Sequence, residues 1–141
     1  MSIPRYACNI GPEQQPVVLL VEDEPLVREA TVRILQNAGV KVLPVEDAGE
    51  ALREYKEHRP QIDLLISDLV LPDRSGRQLG EEIHRLSPQL PILLTSGYLC
   101  EYDEVKEDQT YYLPKPYSRS DLLGKIGRIL GVRLGASAHA S

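Results

Sequence analysis

The 141-residue sequence has little cysteine: only Cys8 and Cys100, far apart and in no CxxC pair. This spacing signals neither a disulfide framework nor a zinc site and leaves two reduced thiols. His58, His84 and His139 also lack metal-ligand spacing and read as exposed polar residues. The longest apolar run, residues 16–21, is too short to cross a bilayer, and no charged leader with a long apolar stretch opens the chain. The expectation is a cytoplasmic chain with no membrane association. A basic excess is missing as well: 16 Lys and Arg stand against 21 Asp and Glu, for a formal charge of −5, and the basic residues are scattered. That argues against direct binding to nucleic acid phosphates. No fixed-period repeat is present, and neither GxxxxGK[ST] nor GxGxxG occurs, which removes the main sequence support for a nucleotide-binding fold.

What is present suits one compact domain, with 42% hydrophobic and 26% charged residues. Five short apolar runs recur: VVLLV at 17–21, VKVLPV at 40–45, DLLIS at 63–67, PILLTS at 91–96 and TYYLP at 110–114. The first, third and fourth are nearly continuous in apolar character, as strands covered on both faces require. Helical spacing fills the gaps. Leu26, Ala30, Ile34 and Ala38 repeat after Pro25, a residue welcome in a first helical turn. Asp47 with Glu50, and Ser118 with Asp121, resemble capping boxes. The first opens a helix through Ala51, Leu52 and Tyr55, the second one through Leu122, Leu123, Ile126, Ile129 and Leu130. Leu79, Ile83 and Leu86 make a further stripe, and residues 98–108 suggest only a short helix. Strand and helix alternate five times, which predicts an α/β domain with a parallel sheet and helices on both faces. Residues 1–16 and 131–141 read as tails or linkers, with the domain over 17–130 and no room for an effector domain in either tail.

In an open parallel sheet, function gathers outside the carboxyl ends of the strands. Glu22, Asp23 and Glu24 follow the first run, Asp68 the third, Thr95 and Ser96 stand at the end of the fourth, and Lys115-Pro116 follow the fifth. Each has an ordinary explanation alone: helix-terminal acids, a turn cap, a backbone partner, a surface charge. Together they are four chemically complementary groups at four strand ends. Carboxylates crowded at one edge repel unless cations neutralise them, and an all-oxygen, water-accessible site suits Mg²⁺.

VVLLVEDE, ISDLVLPDRSG, LLTSGY and LPKPY, in that order, closely resemble the acidic pair, phosphoacceptor loop, hydroxyl motif and lysine-proline motif of the receiver domain of two-component response regulators, over roughly residues 17–130. The resemblance implies a flavodoxin-like, doubly wound parallel sheet of five βα units in strand order 2-1-3-4-5. It further implies that Asp68 takes a phosphoryl group from a phosphohistidine of a histidine kinase or phosphotransfer domain. Glu22, Asp23, Asp68 and the Val70 carbonyl would hold Mg²⁺. Lys115 and Thr95 would engage phosphoryl oxygens, and Thr95 with Tyr112 would form the switch that changes a partner-binding surface. Lys115-Pro116 matches the family's cis peptide, Pro72 would stiffen the loop, and Gly76 would supply its backbone freedom. Val70 and Gly97 offer no polar side chain to orient an attacking water.

Five of the seven tyrosines lie in residues 98–117 beside a run of acids, marking that face as the surface for a downstream protein partner. The implied protein is a signalling switch that catalyses only its own phosphorylation and dephosphorylation, either free-standing or a receiver of a hybrid sensor kinase. The alternative is a haloacid dehalogenase-type phosphatase, but that family wants a second acid two residues after its nucleophile, where Val70 stands.

Overall fold

The computed structural model describes residues 15–97 and 109–134. Residues 98–108, which hold the acids and two of the five tyrosines of the expected partner face, lie outside the described residues, as do Cys8, Cys100, His139 and most of both tails.

The five apolar runs form five strands: β1 (Val17–Val21), β2 (Lys41–Val45), β3 (Leu64–Asp68), β4 (Ile92–Ser96) and β5 (Thr110–Pro114). All pair in parallel, in the order β2-β1-β3-β4-β5. The described helices are α1 (Pro25–Asn37), α2 (Ala48–His58), α3 (Gly76–Leu86) and α4 (Arg119–Leu130), with a 3₁₀ turn at Arg59–Gln61. Among the described residues no helix is long and apolar enough to cross a membrane.

Alternation along the strands divides the core in two, because successive side chains point to opposite faces. Leu19, Val21, Leu65, Ile92, Leu94 and Tyr112 pack with α2 and α3 through Ala51, Tyr55, Leu79 and Ile83. Val18, Leu20, Leu64, Ile66, Leu93 and Leu113 meet α1 and α4 through Leu35, Leu122, Ile126 and Leu130. Burying such aliphatic side chains is worth ~1.5–3 kcal/mol each, which places the main stability in the sheet and leaves its ends for chemistry.

Local signals set the helix starts. Ser118 caps α4 in a full capping box with Asp121, as its spacing predicts. Asp47 caps α2 by accepting from the Glu50 N–H, but the Glu50 carboxylate turns to the Glu46 N–H, so the reciprocal half of that predicted box is replaced. A second full box, Ser75 with Gln78, opens α3.

Two of the apolar stripes need correction. In α1, Leu26 is 75% exposed and Ala30 faces solvent, while the buried face is Thr31, Leu35 and Ala38. In α3, Leu79 and Ile83 are buried but Leu86 is on the surface. His84 is not simply an exposed residue either: its half-buried ring lies 2.9 Å from the Leu90 carbonyl.

The outermost strands each carry an exposed proline, Pro44 in β2 and Pro114 in β5. The Glu22 N–H donates to the Val45 carbonyl and the Lys115 N–H to the Ser96 carbonyl. By strand alternation, each neighbouring proline therefore turns its nitrogen, which has no hydrogen to donate, toward the free edge.

Candidate phosphoacceptor site

Parallel pairing brings the carboxyl ends of β1, β3, β4 and β5 to one edge, and the sequence-selected residues meet there. Glu22, one residue past β1, is 3% exposed. Its position is heavily specified: Oε2 accepts from the Glu24 N–H at 3.2 Å, and its carbonyl accepts from Arg28 Nη1 at 2.7 Å. Asp23, next in the chain, is exposed. Asp68 ends β3 with its side chain 14% exposed and its Oδ1 accepting from the Val70 N–H at 3.3 Å.

Lys115 joins two strand ends. Its ammonium lies 2.9 Å from Glu22 Oε1 and 3.1 Å from Asp68 Oδ2. Burial alone would depress its pKa, but the bonds to Glu22 and the charge of Asp68 outweigh that, and the lysine is held above its ordinary range. The Lys115-Pro116 peptide is cis.

Carboxylate oxygens of Glu22, Asp23 and Asp68 all lie within 4.8 Å of one another. Three carboxylates against one ammonium leave a net negative pocket of oxygen donors, the donor set that suits a hard divalent cation. Val70 is 63% exposed just past Asp68 and forms a bridge with Ser75. Glu54, Glu57 and His58 also approach one another on α2, but Glu57 is exposed, the other two are half-buried, and none belongs to this edge.

Thr95 stands opposite Asp68 in the β3–β4 register and is 2% exposed. Among the described residues its hydroxyl has no hydrogen-bond partner, which is unusual for a buried polar group and leaves it a donor for something entering the pocket. Tyr112 pairs with Leu94 one step back along the sheet and is buried.

The loop after Asp68 is held by contacts that have no local signature in the sequence. Asp73 accepts from the Ala48 and Gly49 N–H groups at 3.1 and 3.0 Å, so this loop is tied to the start of α2. Gly76 corrects an expectation: it has no left-handed backbone, but a Cβ there would lie 2.3 Å from the Asp68 carbonyl oxygen. Glycine is required by close approach rather than by unusual dihedrals. Asp73 and Arg77 were absent from the sequence-selected residues because each acts through a distant partner, and Arg28 because its bond goes to a backbone carbonyl, which no side-chain pattern marks. The Ser75–Gln78 box did have a readable signature, Ser followed three residues later by Gln before Leu79.

Fold and site together define a doubly wound α/β domain of flavodoxin-like strand order with a lysine-bridged acidic pocket at its strand ends. A model of the response regulator receiver domain matches residues 18–127, and the chain belongs to that family, the receiver domains of two-component systems. Sensor kinase CckA of Brucella abortus is 34% identical over 116 residues, 80% of this chain, although the chain spans only 12% of that kinase's length. The crystal structure of the receiver domain from hybrid histidine kinase CckA superposes with a TM-score of 0.72 at 33% identity, covering 81% of this chain and 98% of that one. The chemotaxis response regulator CheY4 of Vibrio cholerae gives 0.73 at 28% identity, with 82% and 99% covered. Membership in this family leaves the phosphatase alternative without support.

Proposed function

We propose that Asp68 is the phosphoacceptor of a switch fed by a phosphohistidine. One observation carries the reading: the Lys115 ammonium is bonded to Asp68 inside a cluster of three carboxylates, at the carboxyl edge of the sheet. Asp68 Oδ attacks phosphorus, the P–N bond to the partner's imidazole breaks with its electron pair going to nitrogen, and an acyl phosphate forms. Lys115 then exchanges its bond to Asp68 for a phosphoryl oxygen, and the buried Thr95 hydroxyl donates to another. That donation draws the end of β4 toward Asp68 and favours a new position for Tyr112, so a local charge event biases a two-state surface. Little covalent work falls to the protein, and positioning and charge compensation dominate.

The oxygen donors present fit Mg²⁺, which Glu22, Asp23, Asp68 and the Val70 carbonyl would hold. When bound it supplies compensation for the phosphoryl charge. The partners in this reading are a histidine kinase or phosphotransfer domain upstream and, downstream, a protein bound through the face at residues 98–117, in the cytoplasm. The domain spans 17–130, between an N-terminal and a C-terminal tail.

Incubation with acetyl phosphate and magnesium chloride tests the core of this. One added phosphoryl group should appear by mass spectrometry and be absent from Asp68→Asn and from samples treated with EDTA. Equal labelling of Asp68→Asn would overturn the assignment.

A further inference from the structure

Tyr112 does not rest in the core by apolar packing alone. Arg77, on the first turn of α3, donates from Nη1 to the Tyr112 hydroxyl at 2.7 Å, and its guanidinium carbon lies 5.5 Å from the ring centroid. The second contact is near the outer limit of a useful cation–π approach, so the charged hydrogen bond is the stronger of the two. Arg77 is half-buried and Tyr112 is 6% exposed, which limits screening by water.

The place of Arg77 in the chain gives the contact meaning. It follows Gly76, whose α-carbon rides against the Asp68 carbonyl and whose N–H donates to the Leu69 carbonyl at 2.7 Å. The arginine is thus coupled through one rigid residue to the backbone of the phosphoacceptor, while Tyr112 sits on β5 beside the partner of Thr95. The pin thus joins the start of α3, just past the Asp68 loop, to the strand whose tyrosine the switch would move.

We propose that Arg77 is a positioning residue that pins Tyr112 in its inward, buried place and thereby sets how readily the domain switches. The inference deepens the reading of Tyr112 as the switch residue and rests on it. A ligand shifts a two-state equilibrium only by its differential affinity, so an interaction made only in the resting state opposes any ligand that favours the other. Removing the pin lowers resting-state stability and raises affinity for a phosphoryl mimic. A clasp with no role in switching would lower stability and leave that affinity unchanged or weaker.

The test uses the whole chain labelled with 3-fluorotyrosine, the Tyr112 resonance being assigned with Tyr112→Phe, and beryllofluoride with magnesium chloride as the probe. In wild type the probe should shift the Tyr112 resonance. In Arg77→Ala that resonance should start displaced toward its bound position, and the probe should bind about tenfold tighter, the factor carried by one hydrogen bond to a charged group. Arg77→Lys, which keeps a donor and a charge, should recover part of the wild-type affinity and guards against a poorly folded alanine variant. Unchanged or weaker binding in both variants, with a wild-type Tyr112 resonance that does respond, overturns the pin and leaves the switch standing. A wild-type resonance that ignores bound probe overturns the switch reading and the pin with it.

Discussion

The hydroxyls of Thr31 and Tyr117 lie 3.0 Å apart and join α1 to the turn that carries Lys115. Thr31 is 2% exposed, so losing its partner strands a buried polar group. Tyr117→Phe should cost about 1 kcal/mol by urea unfolding, and Thr31→Val a similar amount. Combining the two should cost clearly less than the sum, because no unpaired hydroxyl remains.

Alkaline pH should weaken the fold through the same turn. Burial raises the Tyr117 pKa above its ordinary range, and the bonds of Lys115 to Glu22 and Asp68, outweighing burial, raise that lysine. In both cases the folded state holds its proton more tightly than the unfolded chain. Their contribution is complete below the unfolded values of about 10 and is lost as pH rises through the folded ones. Urea midpoints from about pH 8 to pH 11 should fall more steeply for wild type than for a Lys115→Met, Tyr117→Phe double variant.

Asp73 should act at the acid end. Burial works to raise its pKa, but the N–H groups of Ala48 and Gly49, with Arg74 beside it, bring it below the ordinary value of 3.8. Its contribution is present above that unfolded value and disappears as pH falls through the lowered folded value. Asp73→Ala should cost about 1 kcal/mol at neutral pH, as for loss of a helix N-cap, and the gap between variant and wild type should close in acid. Thermal melts across the acid range check this.

Alanine at two glycines should give opposite results. A Cβ at position 76 meets the Asp68 backbone oxygen at 2.3 Å, and backbone cannot swing aside as a side-chain tip would. Gly76→Ala should cost about 3 kcal/mol and slow labelling at Asp68. A Cβ at Gly124, inside α4, meets nothing within 4 Å. Gly124→Ala should stabilise by up to about 1 kcal/mol through helix propensity.

The strands were legible because a sheet buried on both faces writes itself as continuous aliphatic runs, and each run lies within one residue of its strand. The groups that converge at the strand ends, Glu22, Asp23, Asp68 and Lys115, were legible because parallel pairing brings every carboxyl end to one edge. The face of α1 was misread for a geometric reason. Steps of four residues overshoot a 3.6-residue turn by about 40° each, so a stripe that meets the core at Ile34 and Ala38 starts in solvent at Leu26 and Ala30. The true face includes Thr31, a polar residue whose burial depends on Tyr117, far along the chain. Asp73 and Arg77 were hidden for the same reason, since their partners lie at the start of α2 and on β5.

Pro44 and Pro114 close both borders of the sheet to backbone recruitment. A visiting extended segment could not zip along either margin without meeting a position that has no hydrogen to offer. Contact with other molecules is thereby turned away from main-chain zippering at either margin and toward the helices and loops that cover the faces and ends of the sheet.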